Sequence, residues 1–116
     1  MRHLKKGRKF GLITGKRRAF LRILMHNLIM EERIETTEAR AKEIRPRLEK
    51  LVTLAKKDNL SALRTLMRRL PQTSAYKIFH EIAPRYKDRK GGYLRIKKTA
   101  EMRRRDGSRK AIIEFI

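Results

Sequence analysis

ERIETTEARAKEIRPRLEKLVTLAKK, residues 32–57, combines a short strand, a capped helix start and a long apolar stripe, and the other segments must pack around it. Ile34 lies between Arg33 and Glu35, and the β-branched pair Thr36 and Thr37 follows before the period changes from two to 3.6. Thr36 or Thr37 is placed to cap the helix, because a threonine hydroxyl can accept from an otherwise unpaired N–H of the first turn. Glu38, just inside, suits the positive end of the helix dipole. Ala41, Ile44, Leu48, Leu51, Val52 and Ala55 recur three or four apart and form one face that must be buried. Pro46 interrupts this segment: it lacks the N–H that would bond the Lys42 carbonyl, at a cost of roughly 3 kcal/mol. Since the stripe keeps phase across it, the segment is either one kinked helix or two abutting helices.

The chain has 116 residues, enough for one domain with a modest core. Its 33 Lys and Arg against 12 Asp and Glu give a formal charge of +21, which repels itself in a free monomer and calls for a polyanionic partner. That charge is unevenly spread. Residues 1–30 hold nine basic and no acidic residues, residues 31–58 hold eight and seven, and residues 84–116 hold twelve and four. A nearly neutral helix therefore separates two basic ends. With no cysteine there is no disulfide framework, thiolate nucleophile or cysteine zinc site. The longest apolar-rich run, residues 19–30, is broken by Arg22, His26 and Asn27 and is too short to span a bilayer. No small-residue cleavage pattern follows it, which argues against a signal peptide.

Residues 1–14 keep no sustained period and read as an extended basic arm, with Arg2, His3, Lys5, Lys6, Arg8 and Lys9 to follow phosphates and Phe10 to stack on a base or wedge into a fold of RNA. Residues 15–116 read as a single α+β body. Its first helix presents Phe20, Ile23, Leu24 and Leu28 on one face, Thr14 is placed to cap it, and Lys16, Arg17, Arg18 and Arg22 crowd its beginning. Those cations oppose the helix dipole, a penalty that a nearby phosphate would offset. Asp58 and Asn59 break the central helix and cap another with Leu60, Leu63, Met67 and Leu70, ended by Pro71. Ser74 is placed to cap a fourth, with Ala75, Ile78, Phe79 and Ile82 buried and Pro84 closing it.

The segment PRYKDRKGG, residues 84–92, is a loop by composition. It sets Arg85, Lys87, Arg89 and Lys90 around Tyr86 and ends at Gly92, a mixture that suits RNA because phosphates are neutralised while exposed bases stack. The same tyrosines, Tyr86 and Tyr93, could instead cover the edge of the core. Leu94 and Ile96 alternate with Arg95 and Lys97 as a half-buried strand, and residues 100–108 read as a polar loop with an Asp106-Gly107 turn and the triplet Arg103, Arg104 and Arg105. Residues 111–116 form a last strand. The two strands pair as a hairpin, the Ile34 strand can join its edge, and about four helices then cover a two- to three-stranded sheet.

No catalytic constellation is visible. His3, His26 and His80 are scattered without metal-ligand spacing, the glutamates lie among arginines as ion-pair partners, and no phosphate-cradling Gly-Lys-Ser/Thr loop is present. These features predict no enzyme, metal or cofactor. A DNA-binding protein remains open on charge, but no helix-turn-helix pair with a base-reading polar face is apparent.

Three stretches carry a resemblance: MRHLKKGRK (residues 1–9), ERIETTEARAKE (32–43) with EKLVTLAKK (49–57), and IAPRYKDRKGGY (82–93). In this order and spacing, with the terminal AIIEFI, they resemble the family of the seventeenth protein of the bacterial large ribosomal subunit. The resemblance implies a non-enzymatic structural protein of the cytoplasmic ribosome. Its implied partners are large-subunit ribosomal RNA and neighbouring ribosomal proteins, with no membrane, small-molecule substrate or homo-oligomer. By position it assigns Arg2, His3, Lys5, Lys6, Arg8 and Lys9 of the arm, and Arg85, Tyr86, Lys87, Arg89 and Gly92 of the loop, to RNA. The junction GLITGK (residues 11–16) departs from the family's polar pattern, and Arg103, Arg104 and Arg105 are assigned by charge alone.

Overall fold

The computed structural model describes residues 3–116. Four helices pack on a three-stranded antiparallel sheet: α1 (Thr14–Glu31), β1 (Arg33–Thr37), α2 (Glu38–Ala55), α3 (Leu60–Arg69), α4 (Gln72–Lys77), β2 (Leu94–Met102) and β3 (Arg109–Phe115). The sheet order is β1-β3-β2, so the C-terminal strand is central and Ile34 and Ile96 both lie opposite Ile113.

The central helix follows its sequence signals closely. The Thr37 hydroxyl accepts from the Arg40 N–H at 3.3 Å, and all six residues of the apolar stripe are buried. Pro46 lies inside a single helix, so the two-helix alternative falls. Asn59 caps α3 by accepting from the Ala62 N–H at 2.8 Å.

The other helices depart from expectation in their faces and ends. In α1 the buried residues are Leu21, Met25, Leu28 and Ile29; Phe20 and Leu24 flank them, and Ile23 is 58% exposed. Apolar residues nearly encircle this helix, so two phases were open and packing selected one. Thr14 is its first helical residue and caps nothing; Ile13 holds the cap position without a side-chain bond. In α3, Leu70 is buried and Met67 packs against the core as expected, but Leu60 is 59% exposed and Ala62 and Leu66 are buried in its place. Ser74 is not a cap either, but sits buried within α4 and donates to the Pro71 carbonyl. Nor does Pro84 stop that helix. A π-helical turn (Ile78–Ile82), in which the Ala83 N–H reaches back to the Ile78 carbonyl, leads into a last α-turn (Ala83–Arg85) that contains it. A wider turn tolerates a residue that brings no N–H.

The hairpin is longer than its alternation implies. β2 runs on through Met102, so the polar loop shrinks to residues 103–108, turned at Gly107. Glu114 is buried on the sheet's outer face, where Arg95 (2.7 Å), Lys97 (3.0 Å) and Arg33 (3.5 Å) surround its carboxylate.

Candidate nucleic-acid interface

The arm is pinned to the body at two points. Its Arg8 N–H and guanidinium both donate to the Glu43 carboxylate at 3.4 Å, and Arg47 holds the other oxygen at 3.1 Å. Gly7 makes this approach possible. Its φ is 99°, a conformation that residues with a Cβ rarely adopt, while the space beside it is ordinary, a Cβ there lying 3.4 Å from Glu43 Oε1. The Phe10 ring meets Phe20 edge-on at 5.7 Å, and the Arg40 guanidinium lies over Phe20 at 5.0 Å. Phe10 is therefore half-buried against the body and does not project as a free stacking platform.

Arg2 lies outside the described residues. His3, Lys5, Lys6 and Lys9 of the arm, Lys16, Arg18 and Arg22 of α1, Lys87 and Lys90 of the loop, and Arg104 and Arg105 of the hairpin tip are exposed and make no side-chain bond among the described residues. Arg17 donates to the Leu12 carbonyl and Arg89 to that of Gly91. Arg85 pairs with Glu32, which Lys77 also approaches at 3.7 Å. Arg103 pairs with Asp106. Gly92 takes a left-handed φ of 64°, which turns the loop into β2.

Tyr86 must be reassigned. It is 5% exposed, its hydroxyl donates to the Ile116 carbonyl at 2.7 Å, its ring lies 5.2 Å from that of Tyr93, and burial raises its pKa. A ring so enclosed has no face for a base, so Tyr86 ties the chain's last residue to the core. Tyr93 is fully buried and receives a bond from Lys56 at 3.0 Å. The loop's cations remain outside while its aromatics point inward.

The fold also gathers cations that the sequence left scattered. A groove of 470 Å³ opens where the arm, the start of α2 and the β2–β3 loop meet, and Arg8, Arg40, Lys42, Arg103 and Arg109 line it with one carboxylate, Glu38. Arg40, Lys42 and Arg109 had no signal marking them as surface partners, since they join Arg103 only through the tertiary fold. A further exposed group, Arg64, Arg68 and Arg69 on α3, makes no side-chain bond among the described residues.

The carboxylates serve these cations. Hydrogen bonding by Arg85 lowers the Glu32 pKa, Lys42 lowers that of Glu38, and Arg95 followed by Lys97 lowers that of Glu114. Arg103 and then the Ser108 N–H bring Asp106 down to about 2. A carboxyl depressed in the folded state contributes stability above its ordinary value, 4.5 for Glu and 3.8 for Asp, and loses it as pH falls through the lowered one. The melting temperature should thus be level at neutral pH and fall progressively on acidification below 4.5. A melting curve unchanged down to pH 3 would refute this linkage, about a unit or more below the ordinary carboxylate range being enough to protonate part of the set.

Among the described residues no group of three or more His, Asp or Glu could hold a metal ion, and no helix is long and apolar enough to cross a membrane. The class is a small, strongly basic α+β protein whose surplus cations lie outside its core. A sequence profile described as ribosomal protein L17 matches residues 20–116. The large ribosomal subunit protein bL17 of Koribacter versatilis is 49% identical over 117 residues, spanning all of this chain and 72% of that one. That of Thermodesulfovibrio yellowstonii is 46% identical over 117 residues, spanning all of this chain and 87% of its own length. That of Staphylococcus epidermidis is 47% identical over 120 residues, spanning 94% and 98%. The chain belongs to the ribosomal protein L17 family, whose members are structural, non-enzymatic proteins of the large ribosomal subunit.

Proposed function

We propose that this chain is a structural constituent of the large ribosomal subunit that binds and stabilises ribosomal RNA through its basic arm and basic loops, and so supports subunit assembly and translation. Residues 1–14 act as the RNA-binding arm and residues 15–116 as the globular body, which sits as a clamp beside neighbouring ribosomal proteins and does not self-associate. The observation that carries this reading is the set of exposed cations without carboxylate partners, which includes Lys5, Lys6, Lys9, Lys16, Lys87 and Lys90. Left bare they repel one another, and phosphates would neutralise them with release of counterions. The logarithm of the affinity should then fall linearly with the logarithm of salt concentration, with a slope of about 0.7 to 0.9 per phosphate contacted.

Sedimentation of the tagged chain from a lysate through a high-salt sucrose gradient tests the proposal. Co-migration with the large subunit, abolished by ribonuclease, is expected. A chain that stays at the top of the gradient, or that follows DNA, would overturn it.

A further inference from the structure

We propose that the groove between the arm, the start of α2 and the β2–β3 loop binds a phosphodiester of the RNA backbone, with Arg40 and Arg109 as its principal contacts; this rests on the RNA-binding reading above. Of the cations that line it, Arg8 is engaged by Glu43, Arg103 by Asp106 and Lys42 by Glu38 at 2.7 Å. Glu38 is also approached by Lys98 at 3.6 Å, so the one carboxylate of the groove is already neutralised. Among the described residues, no carboxylate pairs with Arg40 or Arg109. The protein has thus filled every cationic position here except two guanidiniums, whose planar forks suit phosphate oxygens.

Arg40 is also held in advance. Its guanidinium rests on Phe20, itself packed against Phe10, so little side-chain freedom remains to be lost on binding. Arg109 opens the central strand opposite Met102 and is likewise carried on a rigid element. At 470 Å³ the groove falls in the range of about 300–1,000 Å³ common to small-ligand sites, room for a phosphate with its flanking sugars.

The test compares the full chain with R109Q, the double variant R40Q/R109Q, and R64Q/R68Q, which removes equal charge from α3 outside the groove. Affinity for isolated large-subunit ribosomal RNA is measured by filter binding over a potassium chloride series, with circular dichroism to check folding. The groove double variant should bind roughly tenfold or more weakly and flatten the salt slope by about 1.4 to 1.8, two contacts' worth, and R109Q alone by about half of that. R64Q/R68Q should lose clearly less. Equal or smaller losses for the groove variants, in the presence of tight wild-type binding, would overturn the groove while leaving the RNA-binding reading intact. If R40Q/R109Q misfolds, R109Q alone decides by the same criterion. Failure of the wild type to bind RNA would overturn both. Inorganic phosphate alone is titrated against the labelled chain to separate a free anion from the RNA backbone. Saturable amide shifts at Arg40 and Arg109, combined with unaltered RNA affinity of the double variant, would assign the groove to a free anion and overturn the proposal.

Discussion

Leu48→Ala should destabilise the protein by about 3 kcal/mol and lower its melting temperature by on the order of 10 °C. Leu48 is fully buried at the middle of α2, the helix that packs against α1, α3 and all three strands. Truncation removes the transfer free energy of three carbons and leaves a cavity that rigid neighbours fill only in part. For a domain whose whole stability is about 5–15 kcal/mol this is a large fraction. Urea and thermal denaturation at neutral pH measure it directly. A loss below about 1 kcal/mol would mean that the site collapses freely and that α2 is not the organising element.

Deletion of residues 1–12 should cost the protein most of its affinity for ribosomal RNA while leaving it folded. The helix start is preserved, because Ile13 holds the N-cap position of α1. Removed are the five cations Arg2, Lys5, Lys6, Arg8 and Lys9, and with them up to five phosphate contacts. At about 0.7 to 0.9 per contact, the salt slope should become shallower by about 3.5 to 4.5, and incorporation into the large subunit should fall accordingly. A modest drop in melting temperature is also expected, since Phe20 loses Phe10 and Glu43 loses Arg8. Unchanged incorporation, or a truncation unfolded by circular dichroism, would contradict this.

The substitution and the deletion probe different levels of organisation. Leu48 could be chosen from the sequence alone, because the stripe of α2 is spelled out by residues three and four apart. The cap at Thr36 or Thr37, the Asn59 cap, the Ile34 strand and the Asp106-Gly107 turn were legible for the same reason. Each is an interaction between a side chain and backbone groups within a few residues, or a period imposed by one burial face. The composition likewise carried the surplus of charge, the alternation of helical and strand periods carried the α+β class, and the three quoted stretches carried the family.

What was not legible depends on contacts between distant residues. The face of α1 was ambiguous because apolar side chains nearly encircle that helix, and only its packing against the rest of the core buried Leu21 and Met25 in place of Ile23. Tyr86, an amphipathic ring among arginines, serves equally as a stacking platform or a core edge; the Ile116 carbonyl thirty residues away made it the second. Pro84 signals a helix end by local rules, and the π turn that absorbs it has no local signature. The groove is the clearest case. Arg40 lies in the nearly neutral segment 31–58 and Arg109 at the foot of a strand, and nothing in their neighbouring residues links them. Periodicity and capping act over a few residues and can be read along a chain, whereas the meeting of two faces is settled by the packing of the whole core.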